Sequence, residues 1–305
     1  MSDWRERLVP EALRLRLKEL VRDDAETRLL HQLLGEPKIY EWLHGVAVLK
    51  DPVLRSLVPA VPPRALREIT AHAEPEWFLW TGLADVEAMM SLLDEFGAFR
   101  AAARPRLLDF GCGAGRLLRF LRTQDDRFEL HGADVNPDHV AWCTEHLRPV
   151  RFVANGACPP LPYPDAHFDG VWTLSVFTHL DEAASDAWRA ELARVLKPGG
   201  VLIATTHGET ALAKFAAEPA LQERFRIAGS DAAALAAGFT ARPFAFVPYD
   251  ADVLAKARAG DVYGTTFVHP SYVARHWSDA RLEVLAHRPA ALRGWQDVVV
   301  LRRRD

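Results

Sequence analysis

Residues 106–207 predict an α/β fold with a doubly wound, mostly parallel sheet, on three observations. Short apolar runs alternate with helical stretches, three glycines follow the first run, and the second run ends on an acid, Asp134. Strands separated by helix-length segments run parallel by crossing over the sheet, which covers both faces and makes the strands apolar throughout. Right-handed crossovers gather the strand C-termini on one edge, where open α/β sheets bind ligands.

Residues 1–100 read as a helical N-terminal extension. "PEALRLRLKELVRDDAETRLLHQLLG" spaces Leu at helical intervals among charges of both signs and is expected to end at Gly35. "EPEWFLWTGLADVEAMMSLLDEF" offers a second amphipathic helix, expected after Gly82. Residues 101–208 form the predicted core. Its strands are "RLLDFG" (106–111), "FELHGADV" (128–135), "RFVAN" (151–155), "FDGVWTLS" (168–175) and "GGVLIATTH" (199–207). Between them lie the helical segments "RLLRFLRTQ", "PDHVAWCTEHL" and "DEAASDAWRAELARVL". Residues 209–268 interrupt the alternation: "GETALAKFAAEPALQERF" and "SDAAALAAGF" read as helices, "PFAFVPYD" and "VYGTTFVHP" as short strands. This segment is expected to be a lid inserted after the fifth strand, over the ligand edge. Residues 269–305 supply a helix, "SYVARHWSDA", and two strands, "RLEVLAHRP" and "QDVVVLRRR", expected to pair antiparallel and complete the sheet.

Bulk properties narrow the function. The chain has 305 residues, 49% hydrophobic and 26% charged, values at which a sizeable core forms. A net charge of -4 lacks the basic footprint of a general nucleic-acid binder. No apolar run reaches the about 18 residues of a membrane span, and "MSDWRERLVPEALRLRLKEL" has no apolar leader core. Cys112, Cys143 and Cys158 form no CxxC pair and read as reduced thiols, so a cytoplasmic monomer or homodimer is expected. No HxxxH, HExxH or carboxylate cluster recommends a metal.

Gly111, Gly113 and Gly115 let backbone approach a ligand closely, and a helix opening there would add free N–H groups for an anionic ligand group. A plain tight turn is the alternative. Asn136 can cap the next helix with Pro137 in its first turn, which would leave the Asp134 carboxylate free for a ribose diol. An acid about 20 positions past the glycines also suits a dinucleotide site, so an NAD-dependent oxidoreductase competes. Against it, Arg116 stands where that fingerprint wants a third glycine. The stretches "LPYPDAHFDGVWTLSVFTHL" and "RVLKPGGVLIATT" also have no role in the dinucleotide pattern.

With "LLDFGCGAGR", "GADVNP", "PPLPYPDAHFDGVWTLSVFTHL" and "RVLKPGG" in this order, the chain resembles the class I S-adenosylmethionine-dependent methyltransferases over about residues 106–208. The resemblance implies a Rossmann-like core with S-adenosylmethionine as cofactor. It places Gly111, Cys112, Gly113 and Gly115 along the methionine moiety, Asp109 at its ammonium group, and Asp134 with Val135 at the ribose. Asn155, Gly156 and Ala157 would flank adenine, although "NGACPPLP" lacks the Asp-Ala pair of many relatives. Ser175 and Val176 would line the methyl-transfer site.

His179 and His207 follow the fourth and fifth strands and are the candidate general bases, each with a structural role as the alternative. Trp80 could fold over the cofactor, and Trp77 and Phe78 could wall the acceptor pocket; a seam docking the N-terminal helices is the other reading. Tyr263, Thr265 and Thr266 could touch acceptor. "SVFTHL", "TTHGE" and "QDVVVLR" are similar to bacterial relatives of glycan and secondary-metabolite pathways. O-methylation of a sugar or natural-product hydroxyl is therefore expected, with N-methylation of a small amine next and a non-catalytic cofactor-binding protein behind it.

Overall fold

The computed structural model describes residues 4–9, 11–42, 48–69, 73–100, 102–225, 227–257 and 262–305. Strands β1 (Arg106–Phe110), β2 (Glu129–Asp134), β3 (Arg151–Ala154), β4 (Phe168–Thr173), β5 (Leu196–Thr206), β8 (Leu282–Leu292) and β9 (Gln296–Arg303) form one sheet in the order β3-β2-β1-β4-β5-β9-β8. The first five are parallel, as the alternation predicts, and β9 runs antiparallel between β5 and β8, its pairing with β8 being the expected one. Successive residues serve opposite faces, so Leu107, Trp172 and Ile203 enter one core while Leu108, Val171 and Leu202 enter the other.

The first core is closed by the N-terminal helices α1 (Glu11–Asp23), α2 (Ala25–Trp42), α3 (Val48–Lys50), α4 (Pro52–Leu57), α5 (Arg64–Ile69) and α6 (Pro75–Glu95). Two expectations fail here. The helical run passes Gly35, which bends it with a φ of 74°. The second helix starts at Pro75, and Gly82 lies inside it. A Cβ at Gly82 would stand 2.7 Å from the Arg116 carbonyl oxygen and 2.9 Å from the Phe120 ring. This glycine therefore lets α6 press against the glycine loop instead of ending a helix.

The glycine loop departs from expectation too. Residues 111–117 are turns, and the following helix α7 (Leu118–Leu121) is a single turn before a 3-10 segment. A long helix N-terminus aimed at the ligand edge is absent. Helices α8 (Pro137–His146) and α9 (Glu182–Val195) complete the layers, and Asn136 caps α8 by accepting from the Asp138 N–H at 3.0 Å.

The insertion folds as α10 (Glu209–Ala217), α11 (Pro219–Phe225), α12 (Gly229–Gly238), β6 (Phe244–Pro248), α13 (Ala251–Ala257) and β7 (Gly264–Val268). It has its own small core of Leu212, Phe215, Ile227, Ala232, Phe239 and Phe267. The expected single helix over 208–225 is divided at Glu218–Pro219, because proline lacks an N–H and disfavours a helical residue before it. Helix α14 (Pro270–His276) leads back into β8 and β9.

Candidate active site

A cavity of about 980 Å³ lies over the C-terminal ends of β1, β2, β4 and β5. Its deepest acid is Asp109 on β1, 2% exposed. Burial pushes that carboxyl up to about 7, and the Asp134 charge adds to the rise; Arg116 and the Trp172 indole pull the other way. Arg116 cannot fully relieve it, because its Nη1 is committed to Asp85 Oδ2 at 2.6 Å. Next to Asp109, Gly111 has a φ of 79°, and a Cβ there would stand 2.3 Å from Val176 Cγ2. Only glycine lets Val176 pack this closely on the backbone beside Asp109.

Asp134 is more engaged than the sequence suggested. Its Oδ2 accepts the Gly113 N–H at 2.7 Å, while Oδ1 accepts the Asn136 N–H at 2.9 Å and faces His139 Nδ1 at 3.2 Å. A carboxylate has about four lone-pair sites, so one remains, on Oδ2. The carboxylate still lines the cavity, and the three contacts fix its orientation. His139 Nε2 contacts the Leu66 carbonyl at 3.0 Å, so both ring nitrogens meet acceptors, an arrangement that favours the protonated imidazole. Burial pulls its pKa down, but Asp134 and the Leu66 carbonyl outweigh it and the net shift is upward.

Val135, Asn155, Gly156 and Ala157 also line the cavity. Asn155 donates from Nδ2 to the Gly156 carbonyl at 2.8 Å and leaves its buried Oδ1 without a partner among the described residues. Trp188 fixes the same loop by donating its indole N–H to the Ala157 carbonyl at 3.1 Å. Cys112 and Val176 line the wall, and burial raises the Cys112 thiol, so it stays protonated. Ser175, at φ 59°, accepts from Gln296 Nε2 at 2.8 Å, which ties the end of β4 to β9.

The two histidines meet across the far half, their rings 6.3 Å apart. His179 donates from Nδ1 to the Gly264 carbonyl at 2.8 Å, which leaves Nε2 as the lone-pair nitrogen. Burial lowers its pKa to about 4 against the effect of that carbonyl. His207 is boxed by Phe215, Phe225, Phe267 and Trp295, bonds the Thr266 backbone, and leaves Nδ1 without a partner among the described residues. Burial and His179 lower it to about 3. Both imidazoles are therefore neutral at ordinary pH.

Trp77 and Tyr263 line the cavity, as expected. Five expected contacts do not. Gly115 faces α8, where a Cβ would meet Leu147 Cδ1 at 2.2 Å and Cys143 Sγ at 3.0 Å. Phe78 is fully buried in the core under the Arg119 guanidinium, and Trp80 stands 41% exposed against Trp77. Thr265 is buried and donates to Tyr249 Oη at 3.0 Å; Thr266 donates to the Leu180 carbonyl at 2.5 Å. The sequence reading missed Tyr249, Arg224, His139, Arg293 and Gln296, all in the cavity wall. Helical spacing on α8 placed His139 four residues after the Asp134–Val135 strand end, which was the one available signal; Tyr249 and Arg293 come from irregular segments, and Arg224 on α11 and Gln296 at the start of β9 carry no motif.

Residues 108–204 match the family model for the methyltransferase domain. The 2-methyl-6-phytyl-1,4-hydroquinone methyltransferase of Synechocystis sp. is 36% identical over 100 residues, 32% of this chain and 30% of that protein. The 27-O-demethylrifamycin SV methyltransferase of Amycolatopsis mediterranei is 35% identical over 124 residues, 38% of this chain and 44% of that protein. The chain thus spans less than half the length of these curated relatives. The crystal structure of PH0226 from Pyrococcus horikoshii OT3 aligns over 72% of this chain and 90% of its own, with 18% identity and a TM-score of 0.46. The glycine loop and the held acid after β2 lie within the matched residues, so this part of the chain is similar to the methyltransferase domain, in a sheet of Rossmann-like order.

Proposed function

We propose that this protein methylates a hydroxyl of a small molecule, a sugar or natural product, with S-adenosylmethionine as donor. The observation that carries the reading is Asp109. A buried carboxyl beside glycines that line the cavity, with its nearest cation engaged elsewhere, is completed by a ligand that brings its own positive charge. The donor set fits that ligand: Asp109 for an ammonium, Asp134 Oδ2 for a ribose hydroxyl, Asn155 Oδ1 for an adenine amine. When bound, S-adenosylmethionine supplies an electrophilic methyl group to a nucleophile in line with its bond to sulfur.

The chain's own residues then have two tasks. Trp77 and Tyr263 on the cavity wall orient the acceptor, and alignment alone can supply up to roughly 7–11 kcal/mol. His207 Nδ1 or His179 Nε2 takes the hydroxyl proton as the new bond forms. A base so far below operating pH belongs at the low end of the about 10²–10⁴-fold that such catalysis gives. The insertion, with Tyr249 and Tyr263, closes the acceptor half from water and acts as a lid. The O-methyl named for the rifamycin relative supports the choice of oxygen. No helix among the described residues is long and apolar enough to cross a membrane, and the three cysteines are free, in keeping with a cytoplasmic setting.

The test is calorimetry with S-adenosylmethionine, S-adenosylhomocysteine and NAD, followed by transfer of labelled methyl to hydroxylated acceptors. Binding of both sulfur compounds and not NAD is expected; binding of NAD alone would overturn the reading.

A further inference from the structure

We propose that Asp85 on α6 is a positioning residue: it holds Arg116 away from Asp109 and so keeps that acid open to the cofactor's ammonium group. The inference rests on the methyltransferase reading and adds how a buried acid stays available beside an arginine. Asp109 and Arg116 stand towards the two ends of the glycine loop, and both line the cavity. Without a restraint the two would pair. A guanidinium keeps its proton at any working pH and makes strong charged hydrogen bonds to carboxylates. An ammonium arriving with the ligand would then have to displace it.

Helix α6 provides the restraint. Thr81 and Asp85 lie four residues apart, hence on one face, and Gly82 beside them lets that face reach the glycine loop. Arg116 Nη1 donates to Thr81 Oγ1 at 3.1 Å and to Asp85 Oδ2 at 2.6 Å. Thr81 Oγ1 is free to accept, since its own proton goes to the Trp77 carbonyl at 2.7 Å. Asp85, Thr81 and Arg116 are all buried, so water screens the contact little. The other carboxylate oxygen, Asp85 Oδ1, lies 3.2 Å from Arg293 Nε in the β8–β9 turn. Asp85 thus meets two arginines through its two oxygens, which fixes the direction of the carboxylate.

The groups that face Asp109 show the effect. Arg116 acts on it from the glycine loop, Asp134 from β2 and the Trp172 indole from β4. The Cys112 and Cys143 thiols feel its charge, and burial keeps both protonated. Among the described residues Asp109 and Arg116 share no hydrogen bond or ion pair. The Arg116 charge lowers the Asp109 carboxyl, but burial wins and leaves it at about 7. An arginine in direct contact would instead take an aspartate down by about 1–3 pH units. Asp109 therefore sits near its arginine without being neutralised by it.

The experiment titrates the full chain with S-adenosylhomocysteine and with methylthioadenosine, which keeps the nucleoside and lacks the ammonium group. Calorimetry in buffers of different ionisation enthalpy reads affinity and proton release together. It compares the unsubstituted protein with Asp85→Asn, Arg116→Gln and the two combined. Asp85→Asn lets Arg116 close on Asp109, so S-adenosylhomocysteine should bind about tenfold more weakly and release no proton between about pH 6 and 8. Removing Arg116 as well should restore proton release, and affinity to within about threefold. Arg116→Gln alone should keep the proton release and move its midpoint above about 7. Methylthioadenosine affinity should change by less than about twofold throughout. Where Asp85→Asn leaves two buried cations too unstable to titrate, the double variant decides, because its cluster carries the same net charge as the unsubstituted protein. A double variant that neither binds S-adenosylhomocysteine nor releases a proton overturns the proposal, since Asp85 would then matter without the arginine it restrains. So does an Asp85→Asn protein that titrates like the unsubstituted one, or one that loses both nucleosides equally, which would make Asp85 a structural part of α6. Loss of S-adenosylhomocysteine binding in Arg116→Gln also overturns it, by assigning Arg116 to the cofactor's carboxylate. Failure of the unsubstituted protein to bind S-adenosylhomocysteine removes the methyltransferase reading itself.

Discussion

Each of the two histidines has a separate consequence for pH. Burial holds His207 near 3 and His179 near 4, so both keep a lone pair throughout the neutral range. His207→Ala should lower kcat by about 10²-fold without changing the shape of the profile between about pH 6 and 9. A kcat within about twofold of the unsubstituted enzyme would remove His207 from the chemistry. His139 acts through Asp134. Replacing it with Ala should raise the KM for the cofactor severalfold and leave kcat nearly unchanged, because it fixes a binding carboxylate and touches no reacting atom. At this scale the sequence led to the cavity wall where a residue stands at or next to a strand end, as for Asp109, Asp134 and His207. It was opaque where a side chain reaches in from a turn, as Arg293 does.

Elements were read well where burial dictates composition. β1, β2, β4 and β5 are apolar runs because both sheet faces are covered, and their alternation with helical stretches gave their parallel direction, while the order of the strands came from the structure. Glycines were misread because the same residue ends a helix, opens a turn or allows contact. Gly82 allows contact, so Gly82→Ala should force α6 away from Arg116 and Phe120. We expect a loss of about 1–3 kcal/mol, seen as a lower urea midpoint at unchanged slope, together with weaker S-adenosylhomocysteine binding. A stabilised helix and unaltered affinity, the outcome for an ordinary helical glycine, would show that the close approach is unimportant. The helix expected after the glycine loop shrank to one turn, and the Gly113 N–H went to Asp134 instead of waiting for a ligand.

Across the whole molecule, buried titratable groups set the response to acid. His131, His179 and His207 lie at about 4, 4 and 3, below the unfolded value of about 6.5. The unfolded chain binds their protons first, so each contributes stability that is present above pH 6.5 and lost as pH falls toward its folded value. Asp109, raised to about 7, works in the opposite sense: the folded form holds its proton between about 4 and 7, which favours folding as pH drops. Three histidines outweigh one carboxyl, so the urea midpoint should fall steadily from about pH 6.5 to 5. A flat midpoint would mean that these imidazoles are hydrated.

Asp109 also gives the most direct test of the site. In the free protein its carboxyl is about half protonated near pH 7; a bound ammonium would hold it ionised. S-adenosylhomocysteine titrated in buffers of different ionisation enthalpy should release a proton below about pH 7, with affinity weakening toward tenfold per pH unit. Asp109→Asn should bind more weakly and lose the proton release. Affinity independent of pH from about 6 to 8, with no proton exchanged and Asp109→Asn unaffected, would contradict the claim that this buried acid receives the cofactor's positive end.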